Sequence, residues 1–161
     1  SPTTAAHVQG EFGDGLLILD GGACDVGIES TIIDCTRGQP VLLRPGAITP
    51  AQVQAVCGLR VVSKEELSGP APKASGTLES HYAPRASGGL QVACYSHAIM
   101  KSPNPQVLCR RMPDDAAATA QQLFAVLREL DAQGVKEIWI ETPPASSEWD
   151  GVRDRLQRAA G

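Results

Sequence analysis

Large aromatic side chains are scarce in this chain: two Phe, two Tyr and two Trp among 161 residues. Its cores must therefore be built mainly from Val, Leu, Ile and Ala. No apolar run approaches the roughly 18 residues that a membrane-spanning helix needs. None of the five cysteines (Cys24, Cys35, Cys57, Cys94 and Cys109) stands in a C-x-x-C spacing, and their number is odd. That argues against a zinc site or a disulfide framework, and for buried thiols in a reducing cytoplasm. The three histidines, His7, His81 and His97, do not cluster, so each is expected to be solvated or hydrogen-bonded rather than a metal ligand. Positive charge is also lacking. The net charge of −4 argues against an overall electrostatic grip on nucleic acid, leaving only a local basic patch open.

The most informative stretch runs Gly27-Ile28-Glu29-Ser30-Thr31-Ile32-Ile33-Asp34, followed by Leu42-Leu43-Arg44-Pro45-Gly46. Two short apolar segments, rich in β-branched residues, each carry polar groups at one end. Thr36-Arg37-Gly38-Gln39-Pro40 between them reads as a turn. A hairpin would bring the Ser30 and Thr31 hydroxyls near the Arg44 guanidinium. Such a gathering suits an anion, because Arg presents a planar fork of donors to phosphate or carboxylate. An ordinary hairpin with a solvated Arg is the other reading of the same residues.

Around the hairpin, a short helix is expected over 1–9, with Ser1 as a cap and Pro2 at its first position. Leu16 to Leu19 reads as a strand stopped by Asp20-Gly21-Gly22. Thr49-Pro50-Ala51-Gln52 carries a capping box, which predicts a helix with Val53, Val56 and Cys57 on its apolar face and Gly58 at its end. Arg60 to Ser63 is a further strand. Residues 64–89 form a Pro/Gly/Ser-rich linker by composition, yet they contain Ser80-His81-Tyr82-Ala83-Pro84. A His-Tyr pair in a spacer suggests either a functional loop or an anchor to a domain surface. Beyond residue 89, strands at 90–95, 107–109 and 138–140 alternate with helices at 114–133 and 147–160. That rhythm predicts parallel β-α units, without a Gly-rich phosphate loop and without a nucleophile–base arrangement. Arg128, Arg153, Arg155 and Arg158 read as a solvated helix face.

Four segments in this order resemble one family: Ser1-Pro2-Thr3-Thr4-Ala5-Ala6-His7-Val8, Gly27 to Asp34, Leu43-Arg44-Pro45-Gly46 and Ser80 to Pro84. The chain resembles the threonylcarbamoyl-AMP synthase family, YrdC type, in its long form. Leu127 to Asp131 and Asp154 to Ala160 resemble the last two helices of that form's extra domain. The resemblance implies an α/β fold in three parts. Residues 1–63 would be the C-terminal part of a YrdC-like twisted-sheet domain, 64–89 a linker and lid, and 90–161 a small Rossmann-like domain. The start at Ser1-Pro2-Thr3-Thr4 reads as the interior of a longer protein. The basic Lys/Arg motif and Ser-Ala-Asn segment of the family are not in the sequence, so this piece is expected to have little synthase activity alone.

The family makes threonylcarbamoyl-adenylate from L-threonine, bicarbonate and ATP, releasing pyrophosphate. The product passes to proteins that modify tRNA. The resemblance implies that Ser30 contacts threonine, that Arg44, Thr3 and Ser1 serve the nucleotide, and that His81 and Tyr82 close over it. It implies Mg2+ held by the ATP phosphates, a cytoplasmic setting, and no covalent nucleophile. Direct tRNA binding by this piece is not expected from its acidic balance. A different class of reading is a non-catalytic nucleotide-binding or partner-docking module. A carbamoyltransferase of the hydrogenase-maturation type shares the YrdC-like part, but the Ser-His-Tyr-Ala-Pro segment and the C-terminal block speak against it.

Overall fold

The computed structural model describes residues 2–67, 92–98 and 101–160. The fold is mixed α/β, with two three-stranded sheets. The chain divides into two compact units, each assembled from separate stretches: Ser1–Ile28 with Pro84–Thr142, and Glu29–Ala83 with Pro143–Gly161.

The first unit opens with helix α1 (Ala5–Phe12). Its cap is Thr4, whose side chain accepts from the His7 amide. Ser1, expected as the cap, lies outside the described residues. The expected strand at Leu16–Leu19 does not form. Leu17 is 87% exposed and Leu19 89%, and among the described residues no strand lies alongside to complete a hydrogen-bonded ladder. β-propensity without a partner does not make a strand.

The remainder of this unit follows the expected alternation. Strands β4 (Val92–Ser96), β5 (Val107–Arg111) and β6 (Glu137–Ile140) form a parallel sheet in the order β5-β4-β6. Helix α3 (Ala116–Ala132) joins β5 to β6. Asp115 caps it by accepting from the Ala118 amide, and Gly134 takes the left-handed conformation just past its end. Its buried stripe, Ala120, Leu123, Phe124, Leu127 and Leu130, is the one that helical spacing picks out. Gly27 packs directly on this helix. A Cβ there would lie 2.0 Å from the Gln121 carbonyl oxygen, so only glycine permits the approach.

The second unit holds the hairpin. Strands β1 (Ile32–Asp34) and β2 (Val41–Arg44) pair antiparallel, with an irregularity between Ile32 and Ile33. Strand β3 (Val62–Ser63) adds to β2 in parallel. Val41, Leu43 and Val62 form a small core, with Ile32 and Leu67 packed against it. Helix α2 (Pro50–Cys57) carries the expected Thr49–Gln52 capping box and a left-handed Gly58. Its expected apolar face is not buried, and Val56 is 90% exposed. Two good caps hold this short helix without a buried stripe.

Helix α4 (Asp150–Ala160) belongs to this unit too. Trp149, just before it, and Val152 are buried. The arginines overturn the expectation of a solvated face: Arg155 is 1% exposed and Arg158 9%. Arg158 accounts for its burial through paired bonds to Asp154, Nε to Oδ2 at 2.9 Å and Nη2 to Oδ1 at 2.8 Å. Cysteine burial is corrected as well. Cys94 is buried and Cys109 half-buried, but Cys24, Cys35 and Cys57 are exposed. Cys57 ends a helix with no buried residue, and Cys35 follows β1 into the turn.

That turn is tied by Asp34. Its carboxylate accepts from the Thr36 hydroxyl at 2.7 Å, the Thr36 amide at 2.9 Å and Arg37 Nε at 2.9 Å. The Thr36 bonds, then Arg37, hold the Asp34 carboxyl below the usual carboxylate range. A depressed folded-state pKa adds stability above the unfolded value of about 4, and that stability is lost as pH falls through the folded value. Asp34→Asn should therefore lower the thermal midpoint at pH 7, with parent and variant converging as the pH drops below about 4. A difference in midpoint that does not change with pH would contradict this account.

Candidate functional site

The end of β2 delivers Arg44 beneath the segment that precedes β1. Arg44 is buried, at 5% exposure, while Ser30 is exposed. Arg44 Nε donates to the Ser30 carbonyl at 3.0 Å and Nη2 donates to Ser30 Oγ at 3.2 Å. A buried guanidinium costs several kcal/mol unless its donors are used. These two bonds engage Nε and Nη2 with exposed Ser30. The alternative of a solvated Arg on an ordinary hairpin is excluded.

Neighbouring residues hold the segment in register. Thr31 Oγ1 donates to the Ile48 carbonyl at 2.6 Å and accepts from the Ile48 amide at 3.1 Å. Gly46 lies flat against the same backbone. A Cβ at position 46 would come within 2.4 Å of the Thr31 nitrogen and 2.6 Å of the Glu29 carbonyl oxygen. The glycine of Leu43-Arg44-Pro45-Gly46 is therefore a packing requirement: it lets the chain after Arg44 fold back onto the chain around Ser30. Glu29 makes an ion pair with buried Arg155 at 2.6 Å. Sequence reasoning missed Arg155. Its spacing carried the signal: it stands three residues past Val152, which is buried on the same helix.

Thr3 sits in the first unit, at the start of α1. It is buried. Its hydroxyl lies 3.1 Å from His7 Nδ1, its amide donates to that nitrogen at 3.3 Å, and its carbonyl accepts from the Cys24 amide at 2.9 Å. Burial first, and then the charge of Arg128, pull the His7 pKa below its ordinary value. The amide bond from Thr3 makes Nδ1 an acceptor. A hollow of about 160 Å³ opens here, lined by Pro2, Thr3, Thr4, Ala5, Val8 and the turn from Ile18 to Cys24. That is smaller than the roughly 300 Å³ at which ligand pockets usually begin, so it suits part of a ligand. A helix N-terminus favours an anionic part.

The structure thus brings Ser30 and Arg44 into contact and places Thr3 at its own hollow. Ser1, His81 and Tyr82 lie outside the described residues. Among the described residues no group of three or more His, Cys, Asp or Glu is arranged to hold a metal, and no helix is long and apolar enough to cross a membrane. The donors around Ser30 and Arg44 are hydroxyl and guanidinium groups. They fit the oxygens of an anion rather than a cation.

Gly46→Ala should damage this wall first. Overpacking against backbone typically costs about 1–3 kcal/mol, so the denaturation midpoint should fall. The Ser30 and Thr31 amide signals should shift by NMR more than those of α2. Unchanged signals would show that the close approach is not a constraint.

A family model described as "Threonylcarbamoyl-AMP synthase, C-terminal domain" matches residues 48–161, and one described as "Telomere recombination" matches residues 1–46. The threonylcarbamoyl-AMP synthase of Schizosaccharomyces pombe is 31% identical over 99% of this chain and 49% of its own length. That of Bacillus subtilis is 32% identical over 100% of this chain and 54% of its own. The chain spans about half the length of the curated relatives it matches. Among solved structures, P. abyssi Sua5 complexed with L-threonine superposes with a TM-score of 0.83 at 28% identity, over 99% of this chain and 54% of that one. A variant of the same protein, with an adjacent His and Tyr replaced by Ala, gives 0.74 at 26% identity.

Proposed function

The chain belongs to the threonylcarbamoyl-AMP synthase family, and from that premise we propose that it supplies the Ser30–Arg44 wall of an enzyme forming threonylcarbamoyl-adenylate from L-threonine, bicarbonate and ATP. The observation that carries this reading is the buried Arg44 fork bonded to the carbonyl and hydroxyl of exposed Ser30. In this reading Ser30 Oγ turns toward threonine and Arg44 toward nucleotide phosphate. Thr3, in the hollow at the start of α1, and Ser1 beside it in sequence, are assigned to the nucleotide. The threonine bound in the P. abyssi relative supports the substrate.

The chemistry suits such groups. Carbamoylation and adenylyl transfer both build negative charge on oxygen in the transition state. Donors already fixed in place stabilise that charge without reorganising. No residue is assigned as a nucleophile. Magnesium would enter with ATP, held by its phosphates, since the described donors suit the phosphates themselves. His81-Tyr82, the one adjacent His-Tyr pair in the sequence, is assigned to closing over the adenylate, where a mobile intermediate needs protection from water. The P. abyssi variant altered at an adjacent His and Tyr supports attention to this pair. The adenylate would pass to proteins that modify tRNA, in a cytoplasmic setting.

Calorimetry with ATP and with threonine, run separately on this chain, tests the assignment. A charge-assisted hydrogen bond is worth about 1.5–3 kcal/mol, so Arg44→Lys, which gives up the paired fork, should weaken ATP binding roughly 10- to 100-fold. Ser30→Ala should weaken threonine binding more than ATP binding. Pyrophosphate release by this chain alone should be slight. Equal binding by parent and Arg44→Lys would overturn the assignment.

A further inference from the structure

The Ser30–Arg44 wall has a support that comes from the far end of the chain. Arg155 projects from α4 and is 1% exposed. Its Nε lies 2.6 Å from Glu29 Oε2, and its Nη1 3.5 Å from Asp154 Oδ2. The Glu29 side chain is itself 14% exposed. Removing such a pair from water is costly, and replacing it by apolar groups often stabilises a protein. A pair of this kind is therefore weak evidence for stability and better evidence for a fixed geometry.

What it would fix is specific. Glu29 directly precedes Ser30, and the Ser30 carbonyl and hydroxyl are the acceptors of Arg44. Gly46, just past the end of β2, presses on the backbone of Glu29, Ser30 and Thr31. The backbone at Ser30 is thus gripped on one side by β2 and tethered through Glu29 to α4. Charge points the same way. Burial lowers the Arg155 pKa, Glu29 and Asp154 raise it again, and Arg44 and Arg158 are near enough to oppose the charge. An arginine stays protonated throughout the working range, so the Glu29 pair offsets like charge from Arg44 and Arg158 at Arg155.

We propose that Arg155 is a positioning residue for the anion wall: acting through Glu29, it sets the backbone at Ser30 and so the direction in which Arg44 presents its fork. The proposal rests on reading Ser30 and Arg44 as ligand contacts. It makes α4 a working part of the site rather than an accessory helix.

The test follows hydrogen exchange at Arg44 Nε–H by NMR, with the backbone amides of β2 as an internal measure of stability. Glu29→Gln and Arg155→Gln are each expected to speed Arg44 exchange at least 10-fold while the β2 amides change much less. The double variant should be no faster than either single, as expected for two residues acting in one chain of contacts. Arg155→Lys, a point charge without the fork, should fall between parent and Arg155→Gln, and it decides the matter if the Gln variant fails to fold. Arg44 exchange that rises only in step with the β2 amides overturns the proposal, and so do single effects that add. Calorimetry on the same samples with threonine and ATP keeps the two readings apart. If the parent binds neither, the ligand assignment fails, and the Arg44 signal still decides whether Arg155 positions it.

Discussion

A buried guanidinium needs hydrogen-bond acceptors, and in this chain Arg44 finds two of them in the carbonyl and hydroxyl of Ser30. Much of the second unit follows from that need. The donor fork can reach Ser30 only if β2 ends where it does, if the chain then turns without a side chain at Gly46, and if the Glu29–Thr31 backbone holds still. Thr31 bonded to Ile48, the Gly46 contact and the Glu29–Arg155 pair each serve the third condition. The cost of burying the charge is offset by bonds that also leave an exposed hydroxyl with a cation beneath it. That is the chemistry of an anion site.

Local signals were legible in the sequence. The Thr49–Gln52 capping box and Gly58 follow from backbone stereochemistry within a few residues, and each stands where expected. The β1–β2 hairpin and the parallel strands of the C-terminal block carry strong periodicity over short spans. The Ser30–Arg44 contact was legible too, because a hairpin forces its two ends together.

Other features depend on what comes to lie alongside, and short-range pattern says nothing of that. Leu16 to Leu19 has strand composition, but no strand runs beside it among the described residues. Val53, Val56 and Cys57 have helical spacing, yet α2 is sustained by its caps and leaves Val56 in water. Arg155 and Arg158 look like a solvated row until Asp154 and Glu29 are seen to neutralise them. Charge repeats on a helix mark a surface only when no opposite charge waits on the element it packs against.

The central claim is that Arg44 and Ser30 face ligand, and a crystal structure of this chain grown with threonine and a non-hydrolysable ATP analogue tests it most directly. The account predicts the Arg44 guanidinium within about 3 Å of a phosphate oxygen, the usual span of such a bond, with Ser30 Oγ turned to threonine. Density for both ligands at sites remote from Arg44, with its bonds to Ser30 unchanged, would contradict it.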